Sequence, residues 1–210
     1  MATGRFITVE GIDGAGKTTA LHYLADRLRQ RGETVVVTRE PGGTELAERV
    51  RDLLKGTEGE APTADTETLL MFAARAQHLS QVVYPALAHG EWVLCDRFTD
   101  ATYAYQGGGR GLPEERIQAL ADWVHPEFQP HRTLLFDLPV AEGIRRRQRE
   151  RGQEDRIEGE GTAFLERVQA VYRERARAEP ARFHRVDAGR DWAQVAAELD
   201  AWLAVELSRR

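Results

Sequence analysis

Eight consecutive residues, Gly11, Ile12, Asp13, Gly14, Ala15, Gly16, Lys17 and Thr18, carry the strongest chemical signal in the chain. Their spacing, G-x-x-x-x-G-K-[ST], is that of a P-loop. Glycine lets the backbone bend closely enough for successive N–H groups to converge on phosphate oxygens. A helix that begins where the loop ends adds its positive pole. Lys17 supplies a compact charge for outer phosphates, and the Thr18 hydroxyl is a ligand for Mg²⁺. By average residue usage the pattern arises by chance in about one such chain in a hundred, or fewer. Only two lysines occur in the 210 residues, Lys17 and Lys55. A chain that uses arginine nearly everywhere keeps lysine where a compact ammonium suits the loop better than a planar fork. The plain alternative is a Gly-rich turn with a solvated lysine. It would stand if nucleotide did not stabilise the protein and Lys17→Ala changed nothing.

Four further stretches hold residue types suited to a phosphate or nucleotide site. Thr38-Arg39-Glu40-Pro41-Gly42-Gly43-Thr44 combines charged residues with a tight Pro-Gly-Gly loop. Read alone, it divides evenly between ligand-facing residues and a solvated Arg39–Glu40 pair. Asp96-Arg97-Phe98 follows the apolar run Trp92-Val93-Leu94-Cys95. Charge at the mouth of a buried strand needs a partner. Asp96 suits Mg²⁺ held through water, and Arg97 suits a bidentate phosphate clamp. The alternative is a structural Asp96–Arg97 ion pair. Thr102-Tyr103-Ala104-Tyr105-Gln106-Gly107-Gly108-Gly109-Arg110-Gly111 sets polar groups beside aromatic rings. With Phe72 and Arg75, spaced i, i+3 on one helix face, Thr102 and Gln106 would form a base pocket. The rival reading makes Phe72 core, Arg75 a solvated charge and the glycines a hinge or loop. The last stretch, Arg145 to Arg156, is the densest basic run. It reads either as a solvated helix face or as a lid that delivers arginines to a transferred phosphoryl group, each such arginine worth about 10³–10⁵ in rate.

These stretches need a scaffold, and the hydrophobic pattern supplies one. Short β-branched runs recur at Phe6 to Val9, Thr34 to Thr38, Trp92 to Cys95, Thr133 to Asp137 and Phe183 to Val186. Helical stripes separate them: Leu21, Leu24 and Leu28; Leu46, Val50, Leu53 and Leu54; Leu69 to Val83, ending or kinking near Pro85; Ile117, Leu120 and Val124; Phe164 to Tyr172; and Val195 to Leu203 behind an Asp191 cap. Alternating strands and helices predict a parallel sheet covered on both faces, with ligands beyond the carboxyl ends of its strands. Gly56 to Thr66 reads as a surface loop. The length fits one domain, residues 1–210, with the lid at about 145–158.

Composition removes several classes. A net charge of −5 disfavours a general nucleic-acid or membrane binder. A lone Cys95, read as a small buried hydrophobe, leaves no intrachain disulfide and no cysteine-based metal site. Arg5 and Glu10 interrupt any signal-peptide core, and no apolar run approaches membrane-spanning length, so a cytoplasmic location is expected.

The stretches FITVEGIDGAGKTT, TREPGGT, MFAARAQH, DRF, TYAYQGGGRG and RRRQRERGQEDRIE together resemble a thymidylate kinase of the kind common in bacteria. They occur in that family's order over most of the chain. The resemblance implies a three-layer P-loop NTPase fold with a five-stranded parallel sheet and a short Arg-rich lid. It implies transfer of phosphoryl from ATP to dTMP with Mg²⁺, giving ADP and dTDP, and a homodimer. By position it implies Asp13 at the sugar 3′-hydroxyl and Phe72 stacked on thymine. Arg75, Thr102 and Gln106 fall at thymine's polar edge, Arg97 on the acceptor phosphate, Glu40 and Pro41 beside the nucleotide, and Asp96 near the metal. One subgroup of the family carries a basic residue in the P-loop where this chain has Gly14. The other keeps its catalytic arginine in the lid, and Gly14 with an Arg-rich lid is similar to the second. Arg147, Arg149 and Arg151 are equal candidates for that role. The rivals are a P-loop kinase for another nucleoside monophosphate or small acceptor, and a non-enzymatic nucleotide-dependent switch. The guanine-reading N-K-x-D expected of a GTPase switch is absent from the sequence.

Overall fold

A computed structural model of the chain describes residues 4–56, 60–150 and 160–208. Five parallel strands form one sheet: β1 (Arg5–Glu10), β2 (Val35–Arg39), β3 (Trp92–Asp96), β4 (Arg132–Asp137) and β5 (Phe183–Asp187), in the order β2-β3-β1-β4-β5. Each expected run matches a strand to within a residue at either end; β2 begins at Val35 rather than Thr34. The register sets Val9 beside Asp96 and Arg39 beside Asp96, and pairs Asp137 with Asp187. The carboxyl ends therefore gather Glu10, Arg39, Asp96 and Asp137 along one edge of the sheet. The strand order reverses at β1, whose neighbours are β3 and β4, and a crevice for ligands opens at such a point.

Alternate residues of these strands enter different cores, which is why the runs are apolar throughout. Ile7, Val9, Leu94, Leu134 and Phe136 meet helix α1 (Lys17–Arg29) and helix α9 (Trp192–Ser208) through Leu21, Leu24, Leu28, Leu199 and Leu203. Phe6, Val93 and Cys95 face the other way, towards Leu79 and Val83. Leu135 joins Phe164, Leu165, Val168 and Tyr172 of α8 (Thr162–Ala178). Burying each such side chain contributes about 1.5–3 kcal/mol. Gly32 in the left-handed region stops the turn after α1, and the Asp191 carboxylate accepts from the Gln194 N–H at the start of α9.

The remaining helices are α2 (Glu45–Lys55), α3 (Ala64–His78), α4 (Tyr84–Ala88), α5 (Thr99–Thr102), α6 (Glu114–Val124) and α7 (Val140–Glu150). Three differ from the pattern. The helix is not ended by Pro85: a π-helical turn, Leu79–Val83, joins α3 to α4, and the helical path continues through Pro85. Leu46 and Leu53 of α2 are exposed, so only Leu54 of that stripe is fully buried. Gly107 to Gly109 form neither hinge nor loop. They lie in a π-helical segment, Tyr103–Gly109, pressed against α8. A Cβ at Gly109 would sit 2.5 Å from the Phe164 ring, so these glycines permit the close approach of α8.

Candidate functional site

The loop from Gly11 to Gly16 leaves β1 and turns into α1 at Lys17. Gly11, Gly14 and Gly16 all have positive φ, as the pattern requires. Gly14 has a second constraint. A Cβ there would lie 2.5 Å from the carbonyl oxygen of Gly143 in α7, so no side chain fits. The loop thus carries no arginine because α7 occupies the space. Lys17 is buried, and its Nζ donates to the Ile12 carbonyl at 3.1 Å and lies 3.5 Å from Asp13 Oδ1.

Asp13 ties this loop to the end of β3. Its Oδ1 accepts from Arg97 Nη2 at 2.6 Å, and the same Nη2 reaches the Tyr105 hydroxyl at 3.0 Å. The Arg97 guanidinium lies over the Tyr105 ring, 4.6 Å from its centroid. Burial raises the Asp13 carboxyl, but the charges of Arg97 and Lys17 outweigh it and hold the group well below the usual carboxylate range. Burial likewise works against the Arg97 cation, and Asp13 overcomes it, so Arg97 stays charged. The expected alternative of an Asp96–Arg97 pair is not what forms. Arg97 has φ 70°, a left-handed conformation uncommon for a residue with a Cβ, which turns its side chain towards Asp13. The Phe98 N–H donates to Glu10 Oε1 at 2.7 Å and fixes that turn.

Asp96 is left with a buried Oδ1 that has no hydrogen-bond partner. It lines a cavity that the Thr18 hydroxyl also lines. An orphaned carboxylate oxygen and a hydroxyl are hard donors, and they fit a Mg²⁺ ion that takes its other ligands from phosphates and water. Among the described residues there is no group of three acidic, His or Cys side chains able to cage a metal alone.

A second cavity opens beside the loop. Asp13, Glu40, Pro41, Asp96, Arg97 and Gln106 line it, as do Arg51, Met71 and Tyr105, which sequence reasoning did not single out. Glu40 is not half of a solvated pair with Arg39. Its carboxylate accepts from Arg75 Nε at 2.7 Å and lies 2.9 Å from His78 Nδ1, all three buried. Burial raises the Glu40 carboxyl, and Arg75 and His78 more than offset it. Arg39 instead pairs with Glu48 on the surface. Arg75 is buried rather than solvated. Its Nη2 donates to Thr102 Oγ1 at 3.0 Å, and its Nη1 has no partner.

Three expected residues do not line this cavity: Phe72, Thr102 and Arg75, which is fully buried. Phe72 is 2% exposed and packs in the cluster with Tyr103, Ile117 and Ala121, with the Arg75 guanidinium over its ring. Thr102 is spent on Arg75. Adjacent helical positions differ by about 100° in direction. If Phe72 faces α6, Met71 faces the cavity, and Met71 is the apolar side chain found there. Arg51 and Leu54, three apart on α2, were legible as one face but had no motif to mark them.

On the far side of the loop, Arg145 to Arg149 continue α7 as a helix. Arg145 and Arg146 pair with Glu142, and Arg146 Nη1 also donates to the Ala188 carbonyl at 3.0 Å. Arg147 is half-buried and Arg149 exposed on that helix. Arg151 and the rest of the run to Arg156 lie outside the described residues.

A P-loop leading into α1, at the switch point of a five-stranded parallel sheet, defines the chain as a P-loop NTPase fold with a second cavity beside its phosphate loop. The family model described as thymidylate kinase matches residues 9–199. A thymidylate kinase of Pseudomonas syringae pv. syringae is 59% identical over 209 residues, covering 99% of each chain. That of Bordetella petrii is 56% identical over 202 residues and 96% of each chain. The crystal structure of thymidylate kinase from Ehrlichia chaffeensis superposes with a TM-score of 0.76 at 34% identity, covering 96% of this chain and 99% of that one. The chain belongs to the thymidylate kinase family.

Proposed function

We propose that this chain transfers the γ-phosphoryl group of ATP to dTMP, giving ADP and dTDP, with roles assigned to its residues as follows. One observation carries the assignment. Asp13 of the phosphate loop and Arg97 of the β3 end are joined by a 2.6 Å ion pair and line the same cavity as Gln106. An acceptor phosphate held by Arg97 there lies beside the donor loop, with its base reaching Gln106.

The backbone of Gly11 to Gly16 and the Lys17 ammonium bind the donor phosphates. Thr18 and Asp96 would hold Mg²⁺, which when bound neutralises charge on the donor phosphates. Asp13, ionised throughout the working range, accepts from the sugar 3′-hydroxyl. Arg97 and Arg51 clamp the acceptor phosphate. Glu40 and Pro41 border the nucleotide, and Met71, rather than Phe72, forms the apolar wall on which the ring rests. Arg75 Nη1 and Gln106 Oε1, an unpartnered donor and an unpartnered acceptor, face the polar edge of the base. Thr102 serves by fixing Arg75. Arg147, Arg149 or Arg151 supplies the charge that meets the transferred group. Catalysis of this kind is alignment and charge screening, with water kept out. The lid at about 145–158 and the single-domain reading belong to the same proposal.

The exposed Leu46 and Leu53, seven apart on one face of α2, and the exposed Leu69 on the adjoining α3 support a homodimer through these helices. Leu53→Glu is expected to convert it to monomer by light scattering. Among the described residues no helix is long and apolar enough to cross a membrane. A cytoplasmic location follows from the reaction, which draws on ATP.

A panel of acceptors with labelled ATP tests the reaction. Turnover of dTMP above dUMP, dCMP and AMP is expected, with little ATP hydrolysis when no acceptor is present. Preference for another acceptor, or turnover with none of them, overturns it.

A further inference from the structure

Gln106 has an amide whose two ends have the same shape and opposite hydrogen-bonding character, so its surroundings decide which end faces a ligand. Glu67, on α3 and 1% exposed, makes that decision. Its Oε1 accepts from Gln106 Nε2 at 2.7 Å. A carboxylate can only accept, so the NH₂ end must face Glu67 and the carbonyl end must face away. Gln106 Oε1 is accordingly the buried atom left without a partner, on a residue that lines the cavity. Arg110 holds Glu67 in place, with Nη2 at 3.4 Å from Oε2 and Nε at 3.5 Å from Oε1, and is itself paired with Glu160. The second orphan, Arg75 Nη1, is a donor whose guanidinium is clamped by Glu40 and Thr102. The cavity wall therefore carries one fixed acceptor, Gln106 Oε1, and the fully buried Arg75 holds one fixed donor that does not itself line the cavity.

We propose that Glu67 is a positioning residue that sets the polarity of Gln106, and through it the choice of a keto-imide pyrimidine over an aminopyrimidine. The inference rests on the reading of this cavity as the acceptor-base pocket. A thymine or uracil edge carries an N3–H donor beside the O4 acceptor, which complements Gln106 Oε1 and Arg75 Nη1. A cytosine edge carries a bare N3 beside a 4-amino group, which places acceptor against acceptor and donor against donor. Leaving buried polar groups unpaired is what makes such a site selective.

The test measures kcat/KM for dTMP and dCMP in wild type, in Glu67→Gln, and in the exchanged pair Glu67→Gln/Gln106→Glu, with a melting temperature for each. An amide at position 67 both donates and accepts, so it no longer dictates the direction of Gln106. The dTMP-to-dCMP ratio is expected to fall about tenfold or more in Glu67→Gln, through KM rather than kcat. The exchanged pair again places an acceptor-only group towards the base, and the ratio is expected to recover. If Glu67→Gln does not fold, the exchanged pair alone decides by keeping or losing the preference. Equal losses for both substrates in Glu67→Gln, or an exchanged pair with no preference, overturns the inference while leaving the proposed reaction intact. A wild type that does not prefer dTMP overturns the proposed reaction and the inference with it.

Discussion

The cavity beside the phosphate loop and the α7 face both carry arginines and carboxylates, yet they are held in different ways. Around the cavity the polar groups are bound to distant parts of the chain: the partly buried Asp13 to Arg97, the buried Glu40 to Arg75 and His78, and the buried Gln106 to Glu67. On α7, Arg145 and Arg146 pair with Glu142, one turn away on the same helix, and Arg145 is 62% exposed. Exposed pairs of that kind contribute about 0–1 kcal/mol. Removing one partner of a buried pair costs about 3–5 kcal/mol. Arg97 and Arg75 are tied into the fold by ion pairs that cross between elements. On α7, Arg145 is held from its own helix, whereas Arg146 also reaches the Ala188 carbonyl at 3.0 Å.

The largest expected effect separates the two regions by kinetics. Replacing Arg147, Arg149 and Arg151 together with Ala should lower kcat by about 10³–10⁵ and leave the melting temperature nearly unchanged. A steady-state assay beside a thermal melt checks both. Unchanged kcat would remove the lid from the reaction.

Arg75→Ala should show the reverse balance. It leaves the Glu40 carboxylate buried beside His78 with its main cation gone. The loss of about 3–5 kcal/mol in stability corresponds to a fall of roughly 6–20 °C in melting temperature for a chain of this size. KM for dTMP should rise at the same time. Arg75→Lys should recover little, since a compact ammonium cannot place its donors at the separate positions that the guanidinium fork reaches at once. A melt within a degree or two of wild type would show the cavity to be less tightly built than its contacts indicate.

Gly14 stands where the two regions touch. Alanine there meets both a positive φ of 80° and the Gly143 carbonyl. A cost of about 1–3 kcal/mol is expected from the strained backbone, with a fall in kcat as α7 is pushed from the loop. A fall in stability without loss of turnover would mean that α7 and the loop need not keep their distance.

The sequence disclosed these regions unevenly, for physical reasons. The P-loop was legible because phosphate binding demands glycines and lysine at fixed spacing. The five strands were legible because a sheet covered on both faces leaves apolar runs. Residues such as Asp96 and Arg97 were visible as a pair at a strand end, but not as strangers to each other, because that depends on one backbone angle at Arg97. Met71 and Phe72 were confused because both are apolar and adjacent, and only the rotation of α3 separates them. Gly107 to Gly109 looked like a hinge because packing partners such as Phe164 are far away in the chain. Glu10, Glu67 and Asp100 carried no signal at all, since a buried acid looks like a surface one until its arginine or tyrosine is located.

Glu10 gives the smallest and most specific way to sharpen the contrast. It is buried under the phosphate loop, with Oε2 accepting from the Tyr172 hydroxyl at 2.7 Å and Oε1 from the Phe98 N–H. Burial, aided by the Asp100 charge, pushes its carboxyl up from 4.5 to about 8, against those two hydrogen bonds. The folded state therefore holds this proton more tightly than the unfolded chain does. Stability from this group is complete at acid pH and is lost as pH rises from about 4.5 to about 8. His125 and His131, lowered mainly by burial, work in the opposite direction, but only below their ordinary value of 6.5. Above that value both histidines are neutral folded or unfolded, so Glu10 dominates the slope. Melting temperature should decline between about pH 6.5 and 8 in wild type. Glu10→Gln, neutral throughout, should flatten that limb while retaining an acceptor for Phe98. The triple variant should keep the wild-type slope, because the hydrogen bonds of Glu10 go to Phe98 and Tyr172 and not to α7. Parallel slopes in wild type and Glu10→Gln would show that the loop does not rest on a protonated carboxyl. A flattened slope in the lid variant would show that the two regions share their electrostatics after all.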